Sequence, residues 1–201
     1  MQKKIVVHMY LKNGKAVTGF DGKELLEDGD VMSIAQHYSN NGADELLIFD
    51  LSDDDADHEQ SLNLIRQISR VIDIPMSGGG HIKNLEDVKK LLYAGCQQVF
   101  LNYAKAANIE LTEEVSKRFG KEKIAICTDS FAQLQANKAR VNEYTSRVIL
   151  LCDEVDVRTT ARLVEVPVLP VSTRADRHGL LKLLMLDNIC GVCGDTFSDL
   201  N

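Results

Sequence analysis

Eight short β-rich runs alternate along the chain with segments of helical spacing. The runs are IVVHMY (5–10), ELLIFDL (45–51), IPM (74–76), QVFLN (98–102), IAICT (124–128), RVILLC (147–152), VPVLPV (166–171) and ICGVC (189–193). Between them the periodicity predicts helices over 31–41, 59–71, 84–95, 110–119, 130–139, 156–164 and 174–186, with Asn84 followed by Glu86 and Asp87 as a helix start. Strands that alternate strictly with helices pair in parallel and are covered by those helices.

Eight such repeats favour closure into a compact, shortened (β/α)8 TIM-like barrel over an open sheet. The 201 residues lie at the bottom of the roughly 200 to 400 residues usual for that architecture. No Pro/Ser/Gly-rich linker divides the chain, so residues 1–201 read as a single domain, alone or as part of a longer fused protein. An internal repeat agrees. At an offset of 92, Ile74-Pro75 falls on Val166-Pro167 and Lys90-Leu91-Leu92 on Lys182-Leu183-Leu184, which makes the third and seventh βα units half-barrel counterparts. The same alignment sets Gly78-Gly79-Gly80 opposite Pro170-Val171-Ser172.

Thirty acidic against 23 basic residues give a net charge of -7, which disfavours nucleic acid or an anionic membrane as the main partner. No run approaches the ~18 apolar residues of a membrane span, and MQKKIVVHMY lacks the apolar core of a signal peptide. A cytoplasmic location is expected. Five cysteines scattered through apolar segments read as reduced core thiols. Cys190 and Cys193 have the spacing of a redox or zinc pair, but no second such pair exists and residues three apart on a strand face opposite ways, so core packing is the expectation. Asp53, Asp54, Asp55, Asp57 and His58 form an acidic loop ahead of a helix, where carboxylates are favoured without a metal. No metal and no cofactor are expected, and His8 and His37 read as structural.

The glycine triplet 78–80 separates a strand-like run from a helix start. Such a loop lets backbone N–H groups approach an anion, and barrel enzymes build their sites at this end of the strands.

The segments LKNGKAVTG (11–19), YSNNGADELLIFDL (38–51), IDIPMSGGGHIKNLEDVKKLLYAGCQQVFLN (72–102) and RFGKEKIAI (118–126) resemble the cyclase subunit of imidazole glycerol phosphate synthase, a histidine-biosynthesis barrel. The phosphoribosyl isomerase barrel of the same pathway is a close second. The likeness covers about the first two thirds of the chain and thins beyond Asp129.

The resemblance implies a lyase that closes an imidazole ring on a phosphorylated ribonucleotide, with ammonia from a glutaminase partner and two aspartates as acid and base. At the first-strand position this chain carries Tyr10, and a phenol with a pKa near ~10 does not replace a carboxylate base. At the fifth-strand position either Thr128 or Asp129 stands, and Asp50 ends the second strand. For the first-half phosphate site, Gly79, Gly80 and Asn102 match the family's pattern; His81 is additional, and Tyr103 replaces a threonine. For the second-half site the chain offers Ser172, Thr173 and Gly194, with Asp195 repelling a phosphate and Arg174 partly compensating.

The expectation is therefore a divergent cyclase-family barrel that binds a phosphate or phosphoribosyl ligand with its ring-closing chemistry impaired. Two alternatives stand beside it: a structural or regulatory domain of a larger protein such as a phosphoribosyl-AMP cyclohydrolase, and an active cyclase, to which the glutaminase partner would apply. With no outer helix after 174–186, the flanks of the first and last strands need shielding, and a homodimer or a fused or partner domain is expected there.

Overall fold

The computed structural model describes residues 2–27 and 29–197. Eight parallel strands close into a barrel: β1 (Lys4–Lys12), β3 (Glu45–Asp50), β4 (Met76–Gly79), β5 (Gln98–Asn102), β6 (Ile124–Thr128), β7 (Arg147–Leu151), β8 (Val168–Ser172) and β9 (Gly191–Gly194). Each pairs with the next, and β9 closes on β1 through Lys4↔Gly191, Ile5↔Val192 and Val6↔Cys193. Helices α1 (Val31–Asn40), α2 (Asp55–Ile68), α3 (Leu85–Tyr93), α4 (Ala106–Phe119), α5 (Phe131–Tyr144), α6 (Val157–Ala161) and α7 (Arg177–Leu183) cover the outside. The barrel expected from the alternation is the one observed.

Period-two alternation sorts each strand into two cores. Val7, Met9, Leu46, Ile48, Val99, Val148 and Val192 face the helices, whereas Val6, Tyr10, Leu47, Phe49, Phe100, Ala125, Cys127, Ile149, Leu169 and Cys193 fill the bore. At the N-terminal base a buried ion pair seals the interior. Arg147 donates through both terminal nitrogens to Glu45, at 3.0 Å from Nη1 to Oε2, and also to Ser77 Oγ (3.0 Å) and Gln98 Oε1 (2.7 Å).

One strand is additional to the expected eight. β2 (Lys15–Val17) runs antiparallel to β1, with Lys12 opposite Lys15. The two-residue turn between them is Asn13-Gly14, both at positive φ (50° and 69°), the pair such hairpins require.

The glycine triplet is also placed differently from the reading above: Gly78 and Gly79 lie inside β4. Their lack of a side chain is a packing requirement. A Cβ on Gly78 would stand 2.8 Å from Cys96 Sγ, and one on Gly79 would stand 2.2 Å from the Phe100 ring. Among the helices, α2 begins at Asp55, four residues before the periodicity placed it, because Asp54 caps it by accepting from Asp57 N at 2.8 Å.

The flanks of the first and last strands are not bare. Val7, Met9, Leu11 and Val192 are fully buried, in a cluster that includes Phe197, Tyr38 and Leu180. The geometric ground given above for a homodimer is thereby removed.

All five cysteines are free. Cys190 and Cys193 both belong to the interior cluster, not to opposite faces, because Cys190 precedes the strand proper. Burial pushes the Cys96 and Cys127 thiols up to about 12 and that of half-buried Cys152 to about 11. A thiolate is the reactive form, so a chromogenic disulfide reagent at pH 8 is expected to modify the native protein slowly, Cys152 first, and all five thiols rapidly in denaturant. Rapid modification of several thiols in the native protein would contradict this packing.

Candidate functional site

The C-terminal mouth holds a cavity of about 390 Å³. Phe49, Phe100, Cys127 and Leu151 line it from the bore, and Gly79, Gly80, His81, Asn102, Lys105, Thr128 and Asp129 line it from the strand ends. The structure thus brings together the first-half residues and the fifth-unit aspartate, and Asp50 lines the same space. Ser172, Thr173 and Gly194 lie outside it.

The two candidates at the end of β6 differ in burial. Thr128 ends the strand, is buried and donates to Gln133 Oε1 of α5 at 3.0 Å, whereas Asp129 follows the strand end; both line the cavity. Asp129 is exposed and has no hydrogen-bond or ion-pair partner among the described residues. Lys105 is likewise exposed, with its ammonium unpaired among them.

Asp50 lines the mouth with its carboxylate already engaged. Oδ1 accepts from Ser52 N at 3.1 Å and from Ser52 Oγ, and Oδ2 accepts from His58 Nδ1 at 2.5 Å. The partner of Asp50 is therefore His58, one of the residues set aside above as part of an acidic loop. Two more carboxylates of that loop are paired, whereas that of Asp57 is buried with no hydrogen-bond partner. Asp53 pairs with Lys12 at 2.9 Å, and Asp55 Oδ1 receives His81 Nε2 at 2.8 Å and Lys83 Nζ at 2.7 Å.

Gly80 has φ +106° and approaches the Asp50 carbonyl so closely that a Cβ would stand 2.1 Å from its oxygen. His81 follows at φ +54°, in the left-handed region where a histidine is uncommon. Its ring stacks on His58 with centroids 4.6 Å apart, and Nδ1 lies 3.3 Å from the Ser52 carbonyl. The loop after β4 is thus tied to the loop after β3. Asn102 Oδ1 accepts from Ala104 N at 2.9 Å, which leaves its amide N–H groups for a ligand. Tyr103 points the other way into the core, its hydroxyl 2.8 Å from Thr112 Oγ1.

Tyr10 stands at the mouth end of β1 inside a cluster of rings. Its centroid is 4.8 Å from Phe20, 5.4 Å from Phe49 and 4.9 Å from His8, and Phe49 continues to Phe100 at 5.0 Å. Only 3% of Tyr10 is exposed, and its hydroxyl has no hydrogen-bond partner. Burial, reinforced by the Asp195, Cys193 and Asp153 groups, pushes the phenol far above its ordinary value. His8 beneath it is held on both nitrogens, Nδ1 at 3.3 Å from Cys193 Sγ and Nε2 against Asp195. These are partners of His8 that the sequence did not reveal. Asp195 serves that contact instead of facing the cavity.

In the second half Ser172 and Thr173 donate to Asp153. Arg174 pairs with Glu154. Gly194 packs under Leu180, where a Cβ would stand 2.5 Å from Cδ1. The aromatic cluster, Lys105 and Asp153 are the site features that sequence reasoning missed.

Among the described residues, no group of three or more His, Cys, Asp or Glu side chains is arranged to hold a metal ion. No helix among them is long and apolar enough to cross a membrane.

The profile of the histidine biosynthesis protein family matches residues 4–187. Similar curated proteins carry the name imidazole glycerol phosphate synthase subunit HisF. One from Flavobacterium psychrophilum is 33% identical over 130 residues, covering 65% of this chain and 52% of the relative. One from Haemophilus influenzae (strain PittEE) is 32% identical over 162 residues, covering 80% and 60%. One from Helicobacter hepaticus is 34% identical over 132 residues, covering 64% and 51%. The chain spans about half the length of most of these relatives. With a closed eight-stranded parallel barrel and a match over nearly its whole length, the chain belongs to the histidine biosynthesis protein family.

Proposed function

We propose that this barrel binds a phosphate or phosphoribosyl group at the mouth of its first half and does not carry out the ring closure of the cyclases it resembles. The observation that carries the reading is the state of Tyr10. At the position of the family's first-strand acid/base the chain places a phenol enclosed by aromatic rings, with its pKa driven up. A general base must hold an available lone pair at a useful pKa within reach of the substrate. Tyr10 offers neither at neutral pH.

Support for binding comes from the mouth itself. The unpaired Lys105 ammonium and the Asn102 amide line one cavity with Gly79 and Gly80, whereas both ring nitrogens of His81 are already engaged. Packing explains both glycines without a ligand, so the argument for phosphate rests on the side chains around them.

Titration with ribose 5-phosphate, followed by calorimetry, is expected to give one saturable site. Lys105→Ala is expected to weaken it by roughly tenfold, the loss of one charge-assisted hydrogen bond of about 1.5 kcal/mol. Unchanged affinity in the variant, or no binding at millimolar concentration, would remove the proposal. A second reading, an active cyclase, is favoured by one observation: Asp129 is exposed at the mouth and unpaired among the described residues.

A further inference from the structure

Phe20 sits where a turn residue is usually polar. It occupies a turn that Gly22 N closes onto the Gly19 carbonyl at 3.3 Å, with the two glycines at positive φ (61° and 69°), and such positions favour Gly, Pro, Asn, Asp and Ser. The Phe20 ring is 45% exposed. The loop around it is held by backbone bonds, Thr18 N to Glu24 O at 2.9 Å and Leu26 N to Ala16 O at 3.0 Å, in which the ring takes no part. It lines the mouth cavity, edge-on to Phe49 at 5.1 Å and 82° and to Tyr10 at 4.8 Å and 69°. Phe49 continues the contact to Phe100 at 5.0 Å, so the three phenylalanine rings form one apolar wall of the cavity.

The polar part of the lining has little left to offer a ligand. Lys12, Ser52, His81 and Thr128 are already bonded within the chain. Among the described residues the Lys105 ammonium and the Asn102 amide N–H groups remain as side-chain donors, with Asp129 as an acceptor in solvent. That set suffices for one anionic group. A sugar laid against the phenylalanines would give up water at its hydroxyls without finding partners there. A planar ring would gain edge or offset contacts and cover apolar surface that is otherwise wet.

We propose that the mouth selects a ligand in which one anionic group is joined to a planar aromatic ring, and that Phe20 is the residue that determines this preference. The inference rests on the anion-binding reading of the mouth given above and names the remainder of the ligand. The anion is held at Lys105 and Asn102, and the ring lies against Phe20, Phe49 and Phe100.

Calorimetry on the whole chain with phenyl phosphate and ribose 5-phosphate tests it, both probes carrying the same phosphate monoester. Phenyl phosphate is expected to bind about tenfold more tightly, the gain of one ring contact together with its burial. In Phe20→Ala that preference is expected to fall below about threefold. Phe20→Leu, which keeps apolar bulk without a ring, reads the same loss should the alanine variant fold poorly. Lys105→Ala is expected to weaken both probes alike, since the anion is common to them. Equal affinities in the wild type, or a preference that survives removal of the Phe20 ring, would overturn the proposal and leave the anion site in place. Phenyl phosphate bound with this dependence on Phe20 and Lys105, and ribose 5-phosphate not bound, would sink the phosphoribosyl reading and support the aromatic one. If neither probe binds at millimolar concentration, both readings fall.

Discussion

Arg147→Met is expected to destabilise the barrel by about 3–5 kcal/mol, the usual cost of leaving one member of a buried ion pair unpartnered. Glu45 is 3% exposed, and Arg147 supplies two of its hydrogen bonds. Only Lys4, 3.4 Å away and 43% exposed, and Ser77 Oγ remain to the carboxylate once the guanidinium is gone.

The pH dependence carries the sign of the effect. In the wild type, burial pushes the Glu45 carboxyl up, but the Arg147 charge and its hydrogen bonds outweigh that and lower the pKa below its ordinary 4.5. The contribution of Glu45 is therefore fully present above pH 4.5 and is lost as pH falls through the lower, folded-state value. In Arg147→Met burial acts with little opposition and the folded pKa rises, so the penalty appears as pH increases. The stability gap between the two proteins is expected to widen from pH 4 to pH 7 in urea denaturation. A gap that is flat with pH, or under about 1 kcal/mol, would show that the pair contributes as a surface bridge does. Replacing both residues with methionine is expected to recover most of the loss, because no charge is then left buried.

Gly80→Ala is the second large effect. The new Cβ meets Asp50 backbone on all sides, 2.1 Å from O, 2.9 Å from C and 3.1 Å from N, at a φ of +106°. Neither the backbone of β3 nor this dihedral yields cheaply, and a loss of about 3 kcal/mol or more is expected. Gly42→Ala provides the control: its φ is +92°, but nothing lies within 4 Å of its Cβ position. That variant is expected to lose about 1 kcal/mol from backbone strain alone. If the glycines after β3's neighbour served a ligand only, Gly80→Ala would melt with the wild type in the absence of ligand.

The fold was legible in the sequence because barrel closure follows from local repetition. Each β-rich run and each helical segment carries its own periodicity, and parallel pairing of neighbours does the rest. The hairpin is also written locally, in Asn13-Gly14 between LK and KAV, the strongest short-range signal for a two-residue turn. The extent of β4 was not legible in the same way. Glycine is depleted in strands, and only Phe100 and Cys96, remote in sequence, show why Gly78 and Gly79 must be there.

The site divides along the same line. The register of β6, Asn102↔Cys127 and Thr128↔Leu150, ends the strand at Thr128, which is buried, and leaves Asp129 exposed beyond it. Phe20, Phe49, Phe100 and Tyr10 meet only because the barrel closes and the hairpin loop folds over its mouth, so nothing in their spacing announces the cluster. Asp153 and Ser172 are likewise joined by the register of two adjacent strand ends.

Tyr10 is buried with its hydroxyl unpartnered, and the proposed loss of ring closure rests on its standing where the cyclases that the chain resembles would carry a carboxylate. The measurement that tests it most directly is steady-state ring closure by the purified chain, with ammonium as nitrogen donor and the phosphorylated ribonucleotide substrate of the cyclases it resembles. No turnover above background is expected from the wild type, and a trace gained in Tyr10→Asp would locate the defect at this residue. Wild-type turnover near the enzyme median of ~10 per second would contradict the account.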